Sequence, residues 1–485
     1  MDYKSDNKLF AALRKLNVIE LNRFQKYISS PYFNINEAII DYFEIIESPI
    51  KQGLEIKLSN HELWQKVFKK EKYANPKFLK LNSDLVKLLG DFVAQSEYDQ
   101  HSSAKVNYKL EGIRKMNLYN LYNGVLNEAN RLEKLALNKS ADYYHTKYLI
   151  GRNEFNLKNE NEKKNTKVDI KQELSINKIA ENLDFYYIAE KLRLYCTLLS
   201  WQKMYNLEVE LDNMDFVLSR MDIEKYEAIP PIQIYDKMHL TYVDQEDTKH
   251  YYELRELMKK YIHLFPIEEV KGIYETAFSY CINKSNKNVV EFYLESFNLY
   301  KEALEKEVII IDGELSPSNF RNIVFYATRA GEIDWAYNFI KEYGTLINEK
   351  NRNNAINFSL ARLEFYQKSF NKVIEHLNLI TFENVFYNLD SRTLLAACYY
   401  ELDEIDALEY QLNSFNQYIK REKSITHDRK STYLNLTKFI TMLIKTNSKD
   451  KLKLQKLKDE IVATKGVVSK PWLLEKVEAL LIKSR

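Results

Sequence analysis

The stretch of sequence that decides the fold lies at residues 325–340 and reads "FYATRAGEIDWAYNFI". It begins with apolar and small residues at helical spacing, passes through a short polar turn that contains Gly331, and resumes its apolar pattern at Ile333. Apolar residues three and four positions apart lie on one face of an α-helix. The stretch therefore predicts two helices joined by a tight turn.

The same pattern occurs twice more, as "LEFYQKSFNKVIEHL" at residues 363–377 and "AACYYELDEIDALEYQL" at residues 396–412. The second helices of the three units are predicted to open at Ile333, Phe370 and Ile405, so the units are spaced by 37 and 35 residues. A similar spacing, of roughly 40 residues, continues upstream. A repeat of this length with one helix hairpin per unit is typical of an α-solenoid.

Residues 315–420 resemble the tetratricopeptide repeat family. The letters "AGEIDWA" resemble the family's Gly-Asp-Tyr-x-x-Ala turn, with Gly331 in the turn and Ala336 where the two helices touch. The second and third units depart from that turn, because Lys368 and Asp403 stand where its glycine belongs. The resemblance implies a short array of helix hairpins.

The first helices of the later units carry further points of resemblance. Ala361 and Ala396 match the family's small position, whereas Glu364 stands where the family has an aromatic residue. The chain as a whole also resembles a group of bacterial helical proteins, and that wider resemblance implies no activity.

The resemblance to tetratricopeptide repeats implies a concave groove lined by the first helices, which in the family binds extended or helical peptides. Arginines in such a groove pair with acidic side chains or a terminal carboxylate, and tyrosines supply flat contact area. The alternative is that the arginines face solvent or bridge helices and that the aromatic residues form the core between helices. The residues that the resemblance places in the groove are Arg321, Phe325, Arg329, Phe358, Arg362, Phe365, Tyr366, Tyr400 and Glu401.

Glycine and proline are scarce, at 10 and 8 residues among 485. Sheet proteins and nucleotide-binding α/β folds use both in turns and phosphate loops, so the scarcity predicts an all-α fold. The stretch 158–173 has two apolar residues and is too polar to bury a face. We therefore expect an N-terminal helical domain at 1–157, a polar linker or loop at 158–173, and a solenoid with a C-terminal capping helix at 174–485.

Several short motifs predict where helices begin. "SNHE" at residues 59–62 is a capping box, in which the serine and glutamate side chains satisfy each other's backbone N–H groups. Ser316 followed by Pro317 predicts a helix that starts with the serine as N-cap. Asn75 followed by Pro76 predicts the same arrangement earlier in the chain.

The loop "SSPYFNIN" at residues 29–36 separates two predicted helices. Asn34 is predicted to cap the second helix with Glu37 as its capping-box partner, and Phe33 to pack on that helix as a hydrophobic staple. Tyr32 receives no contact from this arrangement. An exposed Tyr32 beside other aromatic residues would favour a binding role for the loop.

Basic and acidic residues nearly balance, at 71 against 69. Nucleic-acid binders usually carry a clear basic excess, so nucleic acid is not the expected partner. The locally basic stretch "KTNSKDKLKLQKLK" at 445–458 predicts a solvated helix flank, with contact to nucleic acid or an acidic membrane surface as the alternative. "MDYKSDNKLF" lacks the apolar segment of a signal peptide, and no stretch approaches the ~20 apolar residues that span a bilayer. We therefore expect a cytoplasmic chain with no membrane partner.

The sequence contains none of the motifs that mark common catalytic sites. G-x-x-x-x-G-K-[ST], G-x-G-x-x-G, G-x-S-x-G and H-E-x-x-H do not occur. No two histidines are spaced i, i+4, and no two cysteines lie at ligand spacing, so neither a metal nor a cofactor is expected. Cys196, Cys281 and Cys398 are predicted to be buried thiols.

These observations predict a non-enzymatic intracellular scaffold or adaptor that binds a protein or peptide segment in the solenoid groove. The main alternative is a nucleic-acid-associated or regulatory helical protein, which requires basic residues clustered on one face. A third hypothesis is an enzyme whose site lies outside known motifs. It predicts a deep pocket with convergent polar groups and shifted pKa values.

Overall fold

The structure is a computed structural model that describes residues 8–69, 71–162, 170–205, 226, 228–287, 289–381, 385–447 and 450–483. Within these residues the fold is all-α, as the scarcity of glycine and proline predicts. They form twenty-two α-helices and one short β-hairpin, in which β1 (Ile310–Ile311) pairs antiparallel with β2 (Glu314–Leu315).

Nine helices precede residue 206. They are α1 (Lys8–Leu13), α2 (Val18–Ile28), α3 (Glu37–Lys51), α4 (Asn60–Phe68), α5 (Asn75–Gln100), α6 (Ser102–Lys115), α7 (Tyr122–Leu135), α8 (Ala141–Glu162) and α9 (Ile170–Tyr205).

Thirteen helices follow residue 229. They are α10 (Pro230–Val243), α11 (Thr248–Tyr261), α12 (Ile267–Asn286), α13 (Glu291–Glu305), α14 (Pro317–Arg329), α15 (Ile333–Tyr343), α16 (Glu349–Tyr366), α17 (Phe370–Asn378), α18 (Val385–Glu401), α19 (Ile405–Arg421), α20 (His427–Lys445), α21 (Lys451–Ala463) and α22 (Lys470–Lys483).

The chain divides into two compact units. The first comprises Met1–Lys191 with Asp222–Ile232, and the second comprises Leu192–Met221 with Gln233–Arg485. Of the predicted linker at 158–173, positions 163–169 lie outside the described residues, and the flanking positions form the ends of α8 and α9. Between Lys191 and Leu192, within α9, the chain passes from the first unit to the second.

Helices α1 to α5 of the first unit surround one apolar core. Phe24, Tyr42, Phe43 and Trp64 are fully buried in it. The Tyr42 hydroxyl would be costly to bury alone, and it donates a 2.8 Å hydrogen bond to Asn82. The capping box predicted at the start of α4 is confirmed, because Ser59 accepts from the Glu62 N–H group while Glu62 accepts from that of Ser59.

Two predicted N-caps are wrong. Helix α3 is capped by Asn36 and not by Asn34, since the Asn36 side chain accepts from the Ala38 N–H group. Asn34 is buried in the loop and donates to the Ile28 carbonyl at 2.8 Å, so it fixes the loop to the end of α2. At α5 the cap position is Ala74, which has no side-chain oxygen, and Asn75 is already helical. The sequence shows which residue types can cap a helix, but the path of the backbone decides which residue occupies the N-cap position.

The predicted hydrophobic staple in the same loop is also wrong. Phe33 stacks on Tyr27 of the preceding helix, with ring centroids 4.1 Å apart, instead of packing on α3. Tyr32 lies edge-on to Phe33 at 5.0 Å and is 88% exposed. The loop is therefore held by Asn34 and Phe33, while Tyr32 is exposed beside Phe33, which is the arrangement that was expected to favour a binding role for the loop.

Three successive helix hairpins in the second unit correspond to the repeated sequence pattern. Helices α15, α17 and α19 begin at Ile333, Phe370 and Ile405, as the repeat predicts. The N-cap at Ser316 is confirmed, because its side chain accepts from the Asn319 N–H group and Pro317 occupies the first turn. Each hairpin consists of a first helix, a turn of three residues and a second helix.

The three turns share one backbone geometry. Gly331, Lys368 and Asp403 have φ angles of 86°, 61° and 56°, which is the left-handed region. In each turn the next residue donates its N–H five positions back, as Glu332 does to the Ala327 carbonyl at 2.9 Å. This is a Schellman motif, which satisfies carbonyls left free at the end of a helix. Lys368 and Asp403 therefore adopt the same left-handed backbone conformation as Gly331.

The first helices of the three hairpins contact one another, α14 with α16 and α16 with α18. The alanines at the predicted close contacts, Ala336, Ala361 and Ala396, are fully buried. Glu364, at the position where an aromatic residue was expected, is buried and accepts a 2.8 Å hydrogen bond from the Tyr337 hydroxyl. Tyr337 thereby supplies a polar partner for the buried carboxylate.

Candidate functional site

A cavity of about 660 Å³ lies along the first helices of the hairpins. Helices α14, α16 and α18 supply one part of its lining, and α20 and α22 supply most of the rest. A space of this size accommodates several side chains of a peptide. We call it the hairpin groove.

Most of the residues that the sequence predicts for a groove line this one. Phe325 and Arg329 come from α14, Arg362 and Tyr366 from α16, and Glu401 from the end of α18. They meet because each lies on a first helix and the first helices are neighbours. Phe365 also lines the groove.

The other three predicted residues lie elsewhere. Phe358 is only 2% exposed and belongs to the core between α16 and its neighbours. Tyr400 is half-buried and packs edge-on against Trp472, with ring centroids 5.5 Å apart. Arg321 lies over the Tyr387 ring at 4.8 Å and within 3.9 Å of the Asp390 carboxylate. For these three residues the expected alternative, a role in packing or in bridging helices, describes their contacts.

Aromatic rings hold the two groove arginines. The Arg362 guanidinium lies 4.5 Å from the centroid of Phe325 and 5.7 Å from that of Phe358. Arg329 lies 5.8 Å from the same Phe325 ring and is exposed at the edge of the groove. Ring faces attract cations, so they stabilise these side chains without neutralising them. Both positive charges therefore remain available to a ligand.

Neighbouring positive charges affect the pKa of Arg362. Burial lowers the pKa of Arg362, and the like charges of Arg321 and Arg329 lower it further. Asp390 opposes these effects, but of the three arginines only Arg321 lies within 4 Å of its carboxylate. Among the described residues, no carboxylate lies within ion-pair distance of Arg329 or Arg362. The groove thus contains two cations without an acidic partner in the described part of the chain.

The opposite end of the groove carries acidic groups that are already paired. Glu401 accepts from the Trp472 indole N–H at 2.8 Å and forms an ion pair with Lys476 at 2.6 Å. Lys476 also pairs with Glu475 at 2.9 Å. This end is therefore tied to α22 by internal bonds, whereas the arginine end is open to a partner.

The sequence did not predict the contribution of α22 to the groove. Pro471, Trp472 and Lys476 line it, together with Leu436 and Ile440 of α20. Trp472, at the start of this helix, anchors it by packing on the preceding helices. That the anchor also forms a groove wall follows from tertiary packing, for which the sequence contains no local signal.

Other groups with possible chemistry have structural explanations. Asp244, Asp247 and His250 bring ligand atoms within 4.8 Å of one another, but Asp247 caps α11 by accepting from the Lys249 N–H group. Both aspartates are exposed, and the start of α11 accounts for their arrangement. The three cysteines are buried free thiols, and burial raises the pKa values of Cys281 and Cys398 to about 12.

Part of the locally basic C-terminal stretch takes part in contacts within the fold. Leu454 and Leu457 of α21 are buried, and Lys453 and Lys458 form ion pairs with Asp450 and Glu478. A smaller polar cavity, of about 470 Å³, lies between α6 and α8 and includes His101 and His145. None of the described helices combines the length and the apolar content that crossing a bilayer requires.

Comparisons with known proteins yield no match for this chain, whether among family models, curated proteins or solved structures.

Proposed function

We propose that this chain is a non-enzymatic scaffold or adaptor whose tetratricopeptide-like hairpins form a short α-solenoid that binds an acidic protein segment in the hairpin groove. One observation carries the proposal. Arg329 and Arg362 line the groove, and neither has a carboxylate within ion-pair distance among the residues that the structure describes. A partner that supplies the missing negative charge would be stabilised there.

The physical argument rests on the desolvation of Arg362. A partly buried cation has lost some of its bound water, and no carboxylate of the described residues replaces that water at Arg362. An incoming carboxylate or phosphate therefore forms stronger hydrogen bonds there than it would with an exposed lysine. The aromatic rings around the arginines add apolar contact area for the same ligand. The groove therefore combines charge complementarity with a surface that a peptide can bury.

The arrangement of the hairpins supports a binding role. The arginine-bearing helices α14 and α16 contact each other directly, and their turns share one left-handed geometry. The packed helices fix the backbone positions of the two arginines before a ligand arrives, which lowers the entropy cost of binding. The supporting contacts lie on helices and not on loops.

Selection from a random peptide display library, with the full chain as bait, tests this proposal. We expect enriched peptides to carry acidic residues and to lose at least tenfold in affinity for the double variant R329E/R362E, because like charges then face each other. Fluorescence anisotropy with synthetic copies of the peptides measures the loss.

The matched control is R421E, which reverses an exposed arginine at the end of α19, away from the groove lining. This variant should bind the peptides as the parent chain does. Enriched peptides without acidic residues, or equal binding by the parent chain and R329E/R362E, would rule out the proposal.

A further inference from the structure

The hairpin groove has its charges separated along its length, and the separation restricts the kind of acidic partner that fits. Arg329 and Arg362 lie at the end formed by α14 and α16, and Glu401 and Glu475 lie at the end formed by α18 and α22. Lys476 pairs with both glutamates, which leaves that end with one net negative charge. A segment that is acidic along its whole length would meet repulsion there.

Arg329 and Arg362 give the arginine end a surplus of positive charge, and Lys368 of the turn after α16 also lines the groove. Arg321 lies near Asp390, so it has a partial internal counter-ion. Arg329 and Arg362 have none within ion-pair distance among the described residues, and both lie against the Phe325 ring. A ligand that balances this end must therefore bring two negative charges to one place.

A phosphate monoester meets this requirement better than a carboxylate. It carries about −1.5 to −2 charges at neutral pH on three acceptor oxygens. Two guanidinium groups can each donate two hydrogen bonds to such a group, because the planar fork of arginine matches its geometry. A single carboxylate carries only one negative charge, so it would leave one of the two positive charges unbalanced, and two adjacent carboxylates would repel each other.

The position of Arg362 adds geometric selectivity. Phe325 and Phe358 contact its guanidinium, which limits the rotation of the side chain. Phe358 is itself fixed in the core and lies edge-on to Tyr387 at 5.5 Å. These contacts restrict the orientations that the fork can adopt, which favours a ligand that accepts two parallel hydrogen bonds.

We propose that the hairpin groove binds a phosphorylated side chain of its partner segment, with the phosphate monoester between Arg329 and Arg362. The proposal rests on the proposed function, since it specifies the acidic group that the groove binds. The rest of the segment lies toward α18 and α22 with little negative charge of its own.

A set of three peptides tests the inference on the full chain. One peptide from the display selection is synthesised with serine, glutamate or phosphoserine at its acidic position, and affinities are measured by fluorescence anisotropy. We expect the phosphoserine form to bind about tenfold more tightly than the glutamate form, which corresponds to the stronger charge-assisted hydrogen bonds of a dianion. Inorganic phosphate should displace it competitively.

The variants R329Q and R362Q should each remove the advantage of phosphoserine over glutamate, whereas R421Q should leave it unchanged. R329Q is informative even if R362Q fails to fold, because Arg329 is exposed and makes only ring contacts among the described residues. R362K, which keeps the charge but lacks the fork, should bind phosphoserine and glutamate forms with similar affinities.

The outcomes separate the two proposals. If the glutamate and phosphoserine peptides bind equally well, the groove binds acidic segments but the phosphate inference is wrong. If none of the three peptides binds, both proposals are wrong.

Discussion

A buried arginine, Arg255, connects two helices of the second unit through two carboxylates. Its side chain is 8% exposed, and it pairs with Glu295 at 3.1 Å and with Glu302 at 2.7 Å. Tyr274 and Lys306 also donate to Glu302, at 2.6 and 2.8 Å. Each charge in this network has partners, which is the condition under which buried ion pairs avoid a large desolvation penalty.

Glu302 makes this network sensitive to acid. Burial by itself raises the pKa of Glu302, but its hydrogen bonds and ion pairs outweigh burial and bring the pKa down to about 2. The ionised carboxylate therefore stabilises the fold at every pH above its ordinary pKa of 4.5. This contribution should decline as the pH falls from 4.5 toward 2, because the unfolded chain then takes up the proton first.

The variant E302Q should lower the free energy of unfolding by about 2 to 3 kcal/mol at pH 7, since Arg255 loses a charged acceptor in a buried site. Urea unfolding followed by circular dichroism measures this loss of stability. The difference between the parent chain and E302Q should shrink as the pH is lowered from 4.5 to 3. The control E305Q changes an exposed neighbour on α13 and should have the same free energy of unfolding as the parent chain at pH 7 and at pH 3. A difference between E302Q and the parent that stays constant from pH 4.5 to pH 3 would contradict the expected role of ionisation.

At the scale of single elements, the Schellman turns define the hairpins. Gly331, Lys368 and Asp403 hold equivalent positions with positive φ, although only one of them is glycine. Side chains with a Cβ atom are strained in this region, and lysine more than aspartate, because aspartate can hydrogen-bond locally. The turns therefore form through the packing of the two helices on either side as well as through the residue type.

The variant K368G should stabilise the chain by about 0.5 to 1 kcal/mol, because glycine removes the strain of the left-handed backbone. The reverse change, G331A, should destabilise it by about 1 kcal/mol for the same reason, even though no atom lies within 4 Å of the added Cβ. Chemical unfolding of both variants measures the effects. If G331A has the same free energy of unfolding as the parent chain, backbone strain at this φ does not affect stability.

At the scale of the whole molecule, α22 serves both the core and the hairpin groove. Leu473 and Val477 are fully buried against Leu436 and Phe439 of α20. Trp472 and Lys476, on the same helix, reach Glu401 at the groove end. One helix therefore covers the apolar end of the hairpins and forms a wall of the proposed binding site.

A chain that ends at Val468 should expose the apolar residues that α22 covers. We expect it to bind the dye ANS and to unfold at a lower temperature than the full chain, because large apolar side chains lose their cover. W472F serves as the comparison, since it keeps the apolar contacts and loses only the hydrogen bond to Glu401. The W472F substitution should lower the free energy of unfolding by about 1 kcal/mol. A shortened chain that unfolds like the full one would show that α22 adds nothing to the core.

The sequence was informative where a pattern is local. The repeat located the starts of α15, α17 and α19 because helix hairpins follow from apolar spacing and short polar turns within some fifteen residues. It failed at Asn34 and Asn36, two residues of the same capping type, since only the path of the loop decides which one caps α3. The sequence predicted groove residues only from their positions along the first helices. Phe325 and Arg362 lie in the groove, whereas Phe358, one turn before Arg362, is turned into the core.

The sequence by itself therefore determined the all-α class, the hairpin repeat and the helix carrying each arginine, because these depend on interactions between residues close in the chain. Only the tertiary structure decided that Arg321 lies near Asp390, that Arg329 and Arg362 share the ring of Phe325, and that Trp472 closes the groove against Glu401. These contacts join residues on different helices, far apart in sequence. They depend on the relative positions of helices that pack through many weak apolar contacts, and no short stretch of sequence encodes those positions.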